Sequence, residues 1–151
     1  MQSAWRIVKE KYGPTAFDGE GAFQYGGRWN SRGRRIVYTS ATQSLAALEM
    51  LVHLVPPFTF RYLAFRVEID EKLIERLDPK QLSGDWKAEP AGPASTSIGD
   101  EWLRKARTPV LAVPSVIIPS ESNYLLNPLH RDYVKLAISA PEPFAFDPRL
   151  L

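Results

Sequence analysis

At 151 residues the chain fits one domain, residues 1–151, and leaves little room for a second. Hydrophobic residues (44%) can supply an ordinary core, charged residues (24%) argue against disorder, and 19 basic against 17 acidic side chains (net +2) are too balanced to imply nucleic-acid binding by electrostatics alone. The absence of cysteine excludes disulfides and thiolate chemistry, and two histidines, His53 and His130, argue against a multi-histidine metal site, so no metal or cofactor is expected. The opening Met1-Gln2-Ser3-Ala4-Trp5-Arg6 lacks the layout of a signal peptide. No apolar run approaches the roughly 20 residues of a membrane span, so a cytoplasmic location is expected.

Arg6-Ile7-Val8 reads as a short opening strand. Residues 13–34 are rich in glycine and polar groups and read as a long loop with few core candidates, although Phe17, Phe23, Tyr25 and Trp29 argue against simple disorder. Ile36-Val37-Tyr38-Thr39 is β-branched and aromatic, as a strand requires. A helix is predicted from Ser40 to about Leu54, opened by a capping box of Ser40 and Gln43 and stopped by Pro56-Pro57. Phe60 to Ile69 alternates as a strand with one wetter face. Gly84 to Gly99 carries two prolines and reads as a mobile loop, after which Asp100 caps a short helix through Arg107. Val110 to Ile118 is an apolar strand in which Pro114 marks an edge or a bulge. Asn123 to Pro128 reads as a turn, with final strands at Tyr133–Ile138 and Phe144–Phe146. Strands and helices mix without βαβ alternation, which predicts the α+β class.

Glu49 is the most informative residue. It is the one formally charged side chain between Ser40 and Leu54, and helical spacing puts it beside an apolar face of Leu45, Leu48, Leu51 and Val52. A carboxylate there needs a partner. Either an arginine or solvent supplies it, or the carboxylate stands in a partly apolar cleft to stabilise developing positive charge. In Gly26-Gly27-Arg28-Trp29-Asn30, two glycines permit close backbone approach and Arg28 offers a fork suited to phosphate or carboxylate. Trp29 is either a stacking wall or core. The plain alternative is a tight turn with a surface arginine, and neither nucleotide-binding glycine motif is present. Tyr38 ends a strand just before the Glu49 helix, as core or as a site residue. Ser115 is either bonded to backbone or aimed into a cleft, and no His–Asp pair is in view to make it a nucleophile. His53, one turn after Glu49, is read as its possible partner, and His130 as a surface residue.

Taken in order, Trp5-Arg6, Gly21-Ala22, Gly26-Gly27-Arg28-Trp29-Asn30, Val37-Tyr38-Thr39-Ser40 and Leu45-Ala46-Ala47-Leu48-Glu49 resemble the RES domain. Val113-Pro114-Ser115 and Asn123-Tyr124-Leu125-Leu126-Asn127-Pro128 are similar to its C-terminal block, so the resemblance runs from about residue 4 to 140. It implies a compact α+β fold with a split sheet, like that of ADP-ribosyltransferase toxins. It further implies a toxin paired with an Xre-type antitoxin and acting on NAD+ as substrate. It assigns Arg28, Tyr38, Glu49 and Ser115 as catalytic, with Ser120 and Ser122 as rivals for the serine. Arg6 and Asn123 match recurrent positions and, with Trp29 and Asn30, are expected to bind substrate.

Breaking the nicotinamide–ribose bond develops oxocarbenium character, which Glu49 would stabilise, while Arg28 and Arg6 would hold the pyrophosphate. Many ADP-ribosyltransferases carry two acidic residues close together, and Glu49 has no acidic neighbour between Glu20 and Glu68. That favours water or phosphate as the acceptor, or an acceptor unlike theirs. The expected function is therefore NAD+ glycohydrolysis or phosphorolysis. The alternatives are mono-ADP-ribosylation of a cellular protein, and a non-catalytic RNA- or protein-binding module built on Arg32, Arg34, Arg35, Tyr25 and Trp29.

Overall fold

The computed structural model describes residues 1–55 and 61–151. The expected helix stop at Pro56-Pro57 and the strand start at Phe60 lie outside the described residues. The chain forms β1 (Gln2–Lys9), a short α1 (Glu20–Tyr25), β2 (Val37–Ser40), α2 (Gln43–Leu51), β3 (Tyr62–Ile69) and β4 (Ile74–Arg76). There follow α3 (Pro93–Lys105), β5 (Val110–Pro114), β6 (Ser122–Leu126), β7 (Ala137–Ile138) and β8 (Glu142–Phe144). One mixed sheet runs β4-β5-β6-β2-β1-β3-β7, with β8 also on β3; β4 and β5 are parallel and every other pair is antiparallel. The architecture is α+β, as the mixture of elements predicts.

The centre of the sheet is its weakest seam. β1 and β3 pair over eight positions, and β2 and β6 over four, but β1 and β2 share a single paired position, Trp5 opposite Ser40. The sheet is thus two well-paired halves joined at one point.

Alternation along the strands separates two cores. Ala4, Val37, Val67, Val110, Ala112, Tyr124 and Leu126 point to one face, where Phe17, Leu73 and Tyr133 cover them. The opposite face carries both longer helices. Trp102 of α3 packs with Trp29, Ile36, Leu111, Val113 and Leu125. Ala46 of α2 packs with Ile7, Tyr62 and Ala64. Each large apolar side chain buried this way contributes about 1.5–3 kcal/mol.

Several expectations are corrected. α2 is capped by Thr42, whose hydroxyl accepts from the Leu45 N–H, while Ser40 stays in β2. Its buried face is Leu45 and Ala46; Leu48 and Val52 are exposed, because the small Ala46 and Ala47 allow the helix to lie close on β1. The expected loop through Gly99 is instead helical from Pro93, a residue suited to the first helical turn because it has no N–H to satisfy. Asp100 lies inside that helix and accepts from the Ser31 N–H and hydroxyl rather than capping it.

β5 is interior, between β4 and β6, but β4 ends opposite Ala112. Pro114 therefore sits where the β4 side needs no donor. The expected turn at Asn123 is the interior strand β6, with the turn beginning at Asn127. His130 is buried: its Nδ1 accepts from the Asp132 N–H and its Nε2 lies 2.9 Å from the Ala106 carbonyl. The glycine-rich opening segment also contributes core, with Ala16, Trp29 and Asn30 all buried. Of the final strands, Tyr133–Lys135 is a 3-10 turn and pairing begins at Ala137.

Candidate active site

Three distant segments converge on the Glu49 carboxylate. Its Oε1 accepts from Ser115 Oγ at 2.8 Å and from Asn123 Nδ2 at 2.7 Å. Asn123 is oriented in turn by Ser40, whose hydroxyl donates to Asn123 Oδ1 at 2.8 Å across the β2–β6 pair. Ser115, fully buried where the chain leaves β5, accepts from the N–H groups of Ile117 and Ile118, each at 3.1 Å. Its one O–H is committed to Glu49 and its lone pairs to backbone, so it positions the carboxylate and is not set up as a nucleophile. Among the described residues, the rivals Ser120 and Ser122 make no bond to Glu49, and neither does the exposed His53.

Both hydrogen bonds reach one carboxylate oxygen, which fixes the plane of the group and leaves Oε2 outside this network. Bonds to a carboxylate oxygen are about twice as strong as neutral ones. The result is a preorganised negative charge at the end of α2, held by residues that need not move during reaction.

A second cluster lies along β2. The Tyr38 hydroxyl donates to Asn30 Oδ1 at 2.5 Å and accepts from the Trp29 N–H at 3.2 Å. Asn30 Nδ2 lies within bonding distance of the carbonyls of Ala22, Ser31 and Arg34. Burial holds the Tyr38 phenol well above its usual range, so it remains a neutral donor. Gly27 must be glycine here, because a Cβ would stand 2.6 Å from the Tyr38 hydroxyl. Asn30 is 1% exposed and Trp29 2% exposed, so both build the wall behind the site, and the Trp29 indole has no open face for stacking. Asn30→Ala should cost about 3 kcal/mol, because carbonyls and the phenol lose partners in a buried place; urea unfolding measures it.

Arg28 and Arg6 differ sharply. Arg28 Nη1 donates to the carbonyls of Trp86 and Ala88, and Nη2 pairs with the Glu89 carboxylate at 2.5 Å. The guanidinium already holds an anion, supplied by its own chain. Glu89→Gln should therefore strengthen binding of inorganic pyrophosphate about two- to fivefold, and Arg28→Ala should abolish it, by calorimetric titration. Arg6 spans the seam of the sheet: Nε donates to the Ala16 carbonyl at 2.6 Å and Nη1 to the Tyr38 carbonyl at 3.0 Å. Burial pushes it down to about 10, still cationic at neutral pH.

The structure thus unites Glu49, Ser115 and Asn123, adds Ser40, and places Tyr38 two residues along β2 from Ser40. Arg28, Trp29, Asn30 and Tyr38 form the adjoining cluster, and Arg6 joins it through backbone. Sequence reasoning puts Ser40 in a helix cap; its position opposite Asn123 depends on strand register, which no local pattern reveals. A cavity of 520 Å³ opens at the β5 end of the sheet, lined by Leu82, Trp86, Lys87, Pro114 and Pro119 among others, and does not include Glu49.

An α+β protein with a seam between two half-sheets and a fixed carboxylate beside it is the class that fold and site define. The family model described as the RES domain matches residues 3–147. The chain belongs to the RES domain family. It is 40% identical over 149 residues to a protein named Toxin Res from Yersinia enterocolitica, covering 97% of each chain. It is 39% identical over 157 residues to one named Prs ADP-ribosylating toxin from a Sphingobium species, covering 99% of this chain and 96% of the relative. A Toxin Res of Photorhabdus laumondii is 37% identical over 149 residues, covering 97% and 96%.

Proposed function

We propose that this protein is a toxin that cleaves NAD+ at the nicotinamide–ribose bond, using Glu49 to stabilise the positive charge that develops on the ribose. The observation that carries the reading is the Glu49 carboxylate fixed by Ser115 and Asn123. As the bond breaks, its electron pair leaves with nicotinamide, which departs neutral, and the ribose C1 takes on oxocarbenium character. Water or phosphate then adds there and loses a proton. Tyr38 and Arg6 shape the pocket for the ribose and pyrophosphate, and Arg28 is an anion receptor once Glu89 yields. No metal and no strong general acid is needed for this leaving group. Loss of NAD+ would arrest growth in the cytoplasm.

The relatives' names support a toxin, and we take it to be restrained by an antitoxin of the Xre type. A second reading, transfer of the ADP-ribosyl group to a protein, is favoured by the name of the Sphingobium relative. The same first step serves both, and they differ in the acceptor. The RNA-binding alternative is weakened because Trp29 is buried and Arg35 is paired with Glu20.

The test is to incubate the purified chain with NAD+, with and without phosphate and with cell extract, and to follow nicotinamide by chromatography. Free ADP-ribose, or its phosphorylated form, identifies hydrolysis or phosphorolysis; label fixed on protein identifies transfer. No release under any of these conditions sinks the reading.

A further inference from the structure

We propose that Ser40 is a positioning residue for the reaction at Glu49: its hydroxyl sets which end of the Asn123 amide faces the carboxylate. The inference rests on the NAD+ reading for the reaction, but the geometry that carries it is independent of any substrate. Ser40 Oγ donates to Asn123 Oδ1 at 2.8 Å, and Asn123 Nδ2 donates to Glu49 Oε1 at 2.7 Å. Among the described residues, neither end of this amide has another side-chain partner. The two ends are nearly equal in size, so shape alone does not orient the group. Turned over, Asn123 would set its carbonyl oxygen against a carboxylate oxygen, lone pair against lone pair. In the observed orientation both ends are satisfied at once: the oxygen takes the serine proton, and the nitrogen gives its own to Glu49.

The two supports of Glu49 are unequal, and this makes the serine matter. Ser115 is fully buried and locked by the N–H groups of Ile117 and Ile118. Asn123 is only half-buried, and Ser40 is its brace. Ser40 itself is held from both edges of β2. It stands opposite Asn123 on β6 and opposite Trp5 on β1, the single paired position across the seam. Directly opposite residues project to the same face of a sheet, so the two side chains meet. At 3% exposure the serine has little water competing for its proton. A short, buried side chain pinned on two strands is what holding a freely turning amide requires.

The test compares Ser40→Ala with the equal-sized pair Ser40→Thr and Ser40→Val, which differ in the hydroxyl alone. Threonine and valine both favour strands, so the pair still decides if alanine loosens β2. In the alanine and valine variants kcat for nicotinamide release from NAD+ should fall about five- to tenfold, with KM within about twofold of wild type. The threonine variant should keep about half of the wild-type kcat or more. In an Asn123→Ala background, Ser40→Ala should change kcat by less than about twofold, because the serine then has nothing to orient. A serine with a merely structural role would repeat its loss there. A second readout needs no turnover: hydrogen exchange at the Asn123 side-chain amide, its resonances identified by their loss in Asn123→Ala. Wild type and Ser40→Thr should protect that amide about tenfold better than Ser40→Ala and Ser40→Val. The proposal is overturned if valine matches threonine in exchange or, with turnover, in kcat, or if Ser40→Ala costs the same factor with and without Asn123. If exchange follows the hydroxyl and wild type never releases nicotinamide, the positioning of Asn123 stands and the cleavage reading fails. If nicotinamide is released and the variants turn over and exchange as wild type does, cleavage stands and the positioning role fails.

Discussion

Glu49→Gln should reduce nicotinamide release by on the order of 10²–10³ while leaving the melting temperature within about 2 °C of wild type. The amide keeps the shape of the carboxylate, and its carbonyl oxygen still accepts from Ser115 and Asn123, so the packing of α2 on β1 is preserved. What disappears is the negative charge that the proposed mechanism sets against the developing oxocarbenium ion. A Ser115→Ala change should act in the same direction more weakly, since it frees the carboxylate to rotate without removing it. Measured as kcat/KM with NAD+ at saturating phosphate, a Glu49→Gln enzyme of near wild-type rate would remove the carboxylate from the mechanism.

Gly99→Ala should destabilise the fold more than alanine at any other glycine of the chain. The added Cβ would stand 1.7 Å from the Trp29 carbonyl oxygen and 2.7 Å from its carbon, both backbone atoms. A flexible side chain could swing aside, but here α3 or the Gly27–Asn30 turn must shift as a body. Overpacking typically costs 1–3 kcal/mol, and a clash with backbone lies at or beyond the top of that range. A loss of about 3 kcal/mol would lower the melting temperature by about 10 °C. The variant should also lose activity in proportion to its unfolding, because α3 backs the wall that carries Tyr38 and Asn30. A thermal melt that matches wild type would mean that α3 does not approach Trp29 this closely.

The two predictions mark the boundary of what the sequence discloses. Glu49 stands out because a lone charge in an apolar helix is conspicuous, and the resemblance in ordered blocks supplies Ser115 and Asn123. Why these three act together is not legible: their contacts join residues 66 and 74 positions apart, and only strand register brings them into one place. Gly99 reads as loop because a run of proline, serine, threonine and glycine weighs against a helix. Packing overrides that local propensity: Ser95 and Gly99 are small because α3 lies tightly on its neighbours. Periodicity misjudges the apolar face of α2 for the converse reason. Leucines dominate such a count, yet it is Leu45 with Ala46 that is buried, while Leu48 and Val52 face out. The resemblance puts Trp29 and Asn30 at the ligand; in the fold both are buried and hold the Tyr38 hydroxyl.

The long span of the Glu49 network also sets when in its synthesis this chain becomes complete. Glu49 leaves the ribosome early, but the hydroxyl and amide that fix it belong to Ser115, just past β5, and to Asn123 of β6, in the last third of the sequence. A nascent chain ending before Ser115 carries the carboxylate with neither partner and lacks the strand that seals β2. Non-local pairings of this kind form only once both segments exist and their loops have closed. A site assembled in this order stays incomplete in truncated products, and its carboxylate is fixed only once the chain has been made past Asn123.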